Sequence, residues 1–380
     1  MRPTGNQAGW RSLVLRSEGR ENEAAAYLPR SNSFDASVTL LSWRRMLNDA
    51  SRPRSPDAAG AVSRKPAGPA ASDALDFEIK VHETLGGTTR ARVTGPEDAP
   101  LIVALGGISA NRFVCGSGDG EPGWWAGLVG EGGAIDPRRH RVLGFDFIAD
   151  ESGKIAPSTQ EQAAAVCTAL DHLGAARAHA VVGASYGGMI GLALAQYYPD
   201  RVERVVAISA AAEPHPSATA WRELQRRVVA LGIESGTKAE ALAIARGMGM
   251  MSYRTAPEFE KRFEGGLDSD DTLGRTEPGD YLRARGEAFQ RVMTPERFLS
   301  LSASIDRHRV DPERIATPVL LIGAETDQLV PASQLQALAR RLAGPCELHI
   351  LSSLYGHDMF LKEAGRVGAL IEPFLDAKTT

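Results

Sequence analysis

Cysteine is scarce in this chain: Cys115, Cys167 and Cys346 are the only three, far apart and without paired spacing. That pattern excludes a disulfide framework and a cysteine-based zinc site, and it suits a reducing cytoplasm. Cys167 falls in an Ala-rich helical stretch and Cys346 opens a strand, so both read as small buried hydrophobes. Cys115 is the least easily set aside as a nucleophile. No run of about 18 apolar residues occurs, which excludes an ordinary membrane-spanning helix. A cationic surface is also missing. The formal net charge is −4, and no dense basic run is interleaved with aromatics, so a nucleic-acid partner is not expected. What remains is an ordinary globular composition, 43% hydrophobic and 24% charged, able to bury a large core.

The texture changes along the chain. Residues 1–74 are rich in Arg, Ser, Ala and Pro, and 51–72 have no sustained hydrophobic period. They read as a poorly ordered N-terminal extension without a secretory core, and Met46 is an alternative start. From Asp76 onward, FEIKVHE (77–83) and TTRARVTG (88–95) predict paired strands around Gly86-Gly87. Short apolar runs follow at 101–105, 141–147, 178–184, 202–210, 318–324 and 347–353, with helical segments between several of them, notably 159–174 and 188–199. Strand and helix in alternation predict an α/β sandwich on a mostly parallel sheet. The alternation stops at 214–310, where charged, Met-containing stretches predict an inserted helical lid. The core is then 75–213 with 311–380.

One motif carries chemistry. Gly183-Ala184-Ser185-Tyr186-Gly187 fits G-x-S-x-G, directly after an apolar strand and before a helix of small residues. The serine of such an elbow sits on a strained turn where flanking side chains would collide with the neighbouring strand and helix. A hydroxyl attacks only when a base takes its proton, and in the α/β-hydrolase fold the order along the chain is Ser, acid, His. His357, just past the last expected strand, is the candidate base; the other seven histidines precede the nucleophile or lie in core and lid positions. Asp327, beyond the strand PVLLIGA, is preferred over Glu325 as the acid that holds the base's tautomer. Two amides must face the developing oxyanion: that of Tyr186, and one from Gly106-Gly107-Ile108-Ser109, with Ile108 preferred and Gly107 second. Neither a metal nor a tightly bound cofactor is required.

The segments VVGASYGGMIGLALAQYYPDRVERVVAISAAA, ARGMGMMSYRTAPEFEKRF and YGHDMFL together resemble the homoserine O-acyltransferases of methionine biosynthesis, over roughly residues 76–376. The resemblance implies Ser185, Asp327 and His357 as a triad that takes an acyl group from acyl-CoA and passes it to the hydroxyl of L-homoserine. It also implies that Arg246 pairs with the amino acid's carboxylate, that Asp358 binds its ammonium group, and that Tyr253 supports the same site. The chain departs from the commoner pattern of that family: the oxyanion loop reads LGGISANRF, and Pro122-Gly123-Trp124-Trp125 marks a shorter branch, associated with succinyl transfer. A succinyl carboxylate needs a cation when desolvated, and Arg112 is the candidate. Relatives imply a homodimer. Hydrolysis of the acyl-enzyme, as in an esterase or thioesterase, and transfer to L-serine are the rival readings, and a non-catalytic protein of the same fold is a third.

Overall fold

A computed structural model describes residues 74–83, 87–116, 121–267 and 269–377. The expected extension, and with it Met46, lies outside these residues except for Ala74, which opens the first strand. Eight strands form one sheet: β1 (Ala74–Lys80), β2 (Thr88–Thr94), β3 (Leu101–Leu105), β4 (Arg141–Phe145), β5 (Ala180–Ala184), β6 (Val205–Ile208), β7 (Val319–Ala324) and β8 (Cys346–Leu351). Their order is β1-β2-β4-β3-β5-β6-β7-β8. β1 and β2 pair antiparallel and β2 joins β4 antiparallel, whereas the six strands from β4 to β8 run parallel. β1 lies three residues N-terminal of its expected place, because its register is set by pairing along the whole of β2 rather than by the 77–83 alternation.

β3, β5, β6 and β7 are buried throughout. A strand covered on both faces reads as a continuous apolar run, the signal the sequence carries. α1 (Thr159–His172) starts at Ser158, whose hydroxyl caps the Glu161 amide while the Glu161 carboxylate returns to the Ser158 amide. α2 (Tyr186–Tyr197) begins immediately after Ser185 and is buried along almost its whole length. The helices α8 (Ala332–Arg341), α9 (Met359–Lys362) and α10 (Ala364–Asp376) close the C-terminal half.

Among the described residues between β6 and β7 no strand forms, and the α-helices are α3 (Pro216–Ser235), α4 (Lys238–Tyr253), α5 (Ala256–Glu260), α6 (Glu277–Phe289) and α7 (Pro295–Asp306). Thr255, Thr276 and Thr294 cap α5, α6 and α7 with their hydroxyls, and each of these helices has Pro in its first turn. These local signals place the starts of the insertion's helices. Among the described residues no helix is long and apolar enough to cross a membrane.

The parallel strands set the function's address. Loops leaving the carboxyl ends of β3, β5 and β7, and the turn beyond β8, emerge on one edge of the sheet. The strand order reverses there, since β3 is flanked by β4 and β5. Ligand sites of open α/β sheets form at such a crevice.

Candidate active site

Ser185 caps α2 with φ 54° and ψ −119°, a left-handed conformation that a side chain adopts only under strain, at roughly 1–3 kcal/mol. Its neighbours explain why the motif needs glycine. A Cβ on Gly187 would stand 2.5 Å from the backbone of Leu105, and one on Gly183 would stand 2.3 Å from the backbone of Gly187. The Ser185 amide donates to Ile208 O at 2.8 Å and the Gly187 amide to Gly106 O at 2.9 Å, so the bend is tied to β6 and to the loop after β3. Tyr186 turns its ring away into the core, where its hydroxyl meets Ser304 Oγ of α7 at 2.5 Å.

His357 lies in a 3-10 turn, Gly356–Asp358, and its Nε2 is 2.9 Å from Ser185 Oγ. Its Nδ1 is 2.8 Å from Asp327 Oδ2. The other oxygen, Asp327 Oδ1, accepts the amides of Leu329 at 2.9 Å and Val330 at 3.0 Å, which fixes the carboxylate's rotation. His357 and Asp327 are both buried. Glu325, the alternative acid, is exposed. Burial works against protonation of His357, but the Asp327 charge and hydrogen bond outweigh it. Asp358 adds in the same direction and Arg222 opposes, and the pKa stands above the ordinary histidine value. An imidazole so placed can take the serine's proton and hold it as a stabilised imidazolium.

The two expected oxyanion amides are available. Among the described residues neither Tyr186 N nor Ile108 N has a protein acceptor, and Gly107 N, the second choice, has none either. Gly107 O is engaged by the Ala110 amide, which curls the loop. Trp124 holds that loop from outside: its indole donates to Asn111 O at 2.9 Å, and its ring fills the space that a Cβ on Gly106 would need.

Ser185 opens into a cavity of about 200 Å³ lined by the oxyanion loop, by Trp124, Met189 and Phe360, and by residues of α3 and α4. Arg246, Tyr253, His357 and Asp358 all reach it. The Arg246 guanidinium lies over the Phe289 ring at 4.7 Å and the Tyr253 ring at 5.2 Å, with no carboxylate in contact among the described residues. Tyr253 in turn sits 5.8 Å, centroid to centroid, from the His357 ring. Asp358 borders the cavity while Arg254 Nε holds its Oδ2 at 2.9 Å. Six of the nine expected site residues, Ile108, Ser185, Arg246, Tyr253, His357 and Asp358, thus line one cavity, with Asp327 behind the base.

Arg112 is not brought there. Its Nη1 is 2.6 Å from Asp146 and its Nε 3.1 Å from Asp76, and it lines a separate cavity on the other side of the oxyanion loop. A guanidinium bound by two carboxylates has little charge left for a succinyl group at Ser185. Cation supply at the nucleophile cavity comes instead from Arg222, a residue sequence reading missed. Its Nε and Nη2 grip Asp306 Oδ1 at 2.8 and 2.6 Å, and Arg226 takes Oδ2 of the same carboxylate at 2.6 Å, so the cluster keeps one positive charge. Arg254 was missed as well. It is buried between Asp358 and Glu258, the latter 3.3 Å from its Nη1. The available signal was the helical spacing of Arg222 and Arg226 on α3. Of the cysteines, Cys115 is held protonated by burial, its thiol pushed up to about 12, which removes it as a nucleophile at neutral pH.

Comparison with known proteins identifies the fold and the family. Residues 114–364 match the family model described as alpha/beta hydrolase fold. The chain is 42% identical over 284 residues to the homoserine O-succinyltransferase of Xanthomonas campestris pv. campestris, covering 74% of this chain and 77% of that protein. It is 33% identical to the homoserine O-acetyltransferase of Thermus thermophilus, over 67% of this chain and 73% of the relative. To the serine O-succinyltransferase of Stenotrophomonas maltophilia it is 31% identical, over 73% and 87%. Among solved structures, the homoserine O-acetyltransferase of Bacillus anthracis superposes with a TM-score of 0.73 at 19% identity, covering 81% of this chain and 98% of that one. Esterase E22 superposes with 0.71 at 20% identity, covering 80% and 100%, and at such identity the likeness speaks to fold alone.

Proposed function

The chain belongs to the homoserine O-acyltransferase family of the α/β-hydrolase fold, and from that premise we propose that it moves a succinyl group from succinyl-CoA to the hydroxyl of L-homoserine. The observation that carries the reading is the combination in one cavity of an assembled Ser185–His357–Asp327 relay with two guanidiniums, Arg222 and Arg246, and one carboxylate, Asp358. A succinyl ester and homoserine together bring two carboxylates, for Arg246 and the net-positive Arg222–Arg226–Asp306 cluster, and one ammonium, for the Asp358 oxygen that Arg254 does not hold. An acetyl donor would bring one carboxylate fewer and leave the surplus positive charge of the Arg222–Arg226–Asp306 cluster without a partner.

The proposed cycle has two halves. His357 Nε2 takes the Ser185 proton as Oγ bonds to the thioester carbon, and the carbonyl electron pair moves onto an oxygen facing the amides of Tyr186 and Ile108. Each such donor is worth about 3–4 kcal/mol in related acyl transfers. The oxyanion collapses, the carbon–sulfur bond breaks, and the thiolate leaves with the proton from His357. Homoserine then enters, its ammonium on Asp358 and its carboxylate on Arg246 beside Tyr253. His357 accepts the hydroxyl proton, the oxygen attacks the acyl-serine, and Ser185 recovers its proton as it departs.

No metal or tightly bound cofactor takes part in this scheme. Transfer outruns hydrolysis if α3 and α4 keep water from the acyl-serine, a lid role proposed for 214–310. The enzyme is further proposed to act in methionine biosynthesis, in the cytoplasm, and as a homodimer, the last on family resemblance. An esterase of the same fold is the alternative, and L-serine an alternative acceptor. CoA release is to be followed with succinyl-CoA or acetyl-CoA, with and without L-homoserine or L-serine. The proposal expects release that requires homoserine and is fastest with succinyl-CoA; release independent of any acceptor would overturn it in favour of hydrolysis.

A further inference from the structure

A second cavity, of about 240 Å³, lies across the oxyanion loop from Ser185 and shares Ile108, Ser109 and Ala110 with the nucleophile cavity. Its remaining walls are Asn111, Arg112, Asp146, Val292 and Arg297. The two arginines differ. Arg112 is saturated by Asp76 and Asp146, whereas Arg297, near the start of α7, spends one donor on Phe147 O at 2.7 Å and has no carboxylate within ion-pair distance among the described residues. Burial lowers the pKa of Arg297, with Asp146 and Glu151 opposing from beyond contact. A half-buried guanidinium with donors to spare gains most when an anion completes it. The Ser109 hydroxyl, on the same wall, also has no acceptor among the described residues.

We propose that Arg297, with the Ser109 hydroxyl, forms an anion subsite that takes a phosphate of the acyl donor's carrier. This inference rests on the acyl-CoA-dependent reading given above. A thioester centred at Ser185 has the Ile108–Ala110 loop as the shared boundary between its own cavity and this one, so its carrier can run over that loop. Phosphate matches the guanidinium's forked donors, while Asp146, which also lines the cavity, is already committed to Arg112 and its amide. The acyl group's own carboxylate has Arg222 in the first cavity.

The test compares succinyl-CoA with succinyl-pantetheine, which lacks every phosphate, in the wild type, Arg297→Gln and Arg297→Lys. The kcat/KM ratio of the CoA donor to the pantetheine donor is expected to fall about 10- to 100-fold in Arg297→Gln and to recover in part in Arg297→Lys. Added salt is expected to lower the ratio in the wild type and to leave it nearly flat in Arg297→Gln. An unchanged ratio, or an equal loss with both donors, would overturn the subsite. So would a drop in the succinyl-pantetheine to acetyl-pantetheine ratio, which would assign the cavity to the acyl carboxylate. If the wild type moved no acyl group to homoserine from either donor, the proposed function itself would fail; a competent wild type with an unaltered ratio removes only this subsite.

Discussion

Replacing Asp327 by Asn tests the relay at its most constrained atom. Asp327 Oδ1 accepts two backbone amides, from Leu329 and Val330, so an asparagine there must keep its carbonyl oxygen on those donors. Its NH2 group then points where Oδ2 was, 2.8 Å from His357 Nδ1. A donor facing Nδ1 obliges that nitrogen to accept, which moves the ring proton to Nε2. Nε2 then donates to Ser185 Oγ and can no longer take its proton. The ground-state geometry survives, because every hydrogen bond persists with its direction reversed along the relay. Loss of the correct tautomer costs about 10⁴-fold in turnover in a comparable relay, or about 5.4 kcal/mol of barrier. Stopped-flow measurement of CoA release in the first turnover is the assay, with KM for the acyl donor and the melting temperature as controls. The expected result is a drop of about 10⁴ in the acylation rate, with KM nearly unchanged. An Asp327→Asn protein acylating within tenfold of the wild type would refute the assignment of base and acid.

Other outcomes follow from the same geometry. Inactivation of Ser185 by a serine-directed phosphonate should rise with pH through a value above the ordinary histidine pKa, because only neutral His357 can accept the proton. Asp358→Asn should move that limb to lower pH and Arg222→Gln to higher pH, since Asp358 favours and Arg222 disfavours the protonated ring. Arg246→Gln should raise KM for homoserine about 10- to 100-fold while leaving formation of the acyl-enzyme nearly intact, as read from the burst and steady-state phases. Gly187→Ala should lower stability by about 1–3 kcal/mol in a denaturant titration and abolish acylation, because its Cβ would press on the Leu105 backbone beside the oxyanion loop.

The parts of this molecule that a reader of sequence can see are those written locally. The elbow is legible because the steric demands of Ser185 fall within five consecutive residues, and β3, β5, β6 and β7 because burial on both faces leaves unbroken apolar runs. Asp327 and His357 follow from their positions after successive strands. Arg112 shows the opposite case. It sits three residues past Ser109, and chain proximity suggested proximity to the substrate, yet Asp146 after β4 and Asp76 on β1 capture it through sheet pairing. Arg222 and Arg254 are not legible in the sequence, and Trp124 reads there only as a branch marker, because only the packing of α3, α4 and the loop after β3 directs them to the site. The three-residue offset of β1 has the same origin, a register chosen by the partner strand.

Mass spectrometry of the intact protein, quenched within the first turnover after mixing with succinyl-CoA, tests whether Ser185 carries the acyl group. The expected result is the mass of one succinyl group on the peptide that contains Ser185, its disappearance on addition of L-homoserine with formation of O-succinylhomoserine, and no adduct in Ser185→Ala. A wild-type protein that transfers the acyl group while Ser185 never carries it would contradict the acyl-serine mechanism.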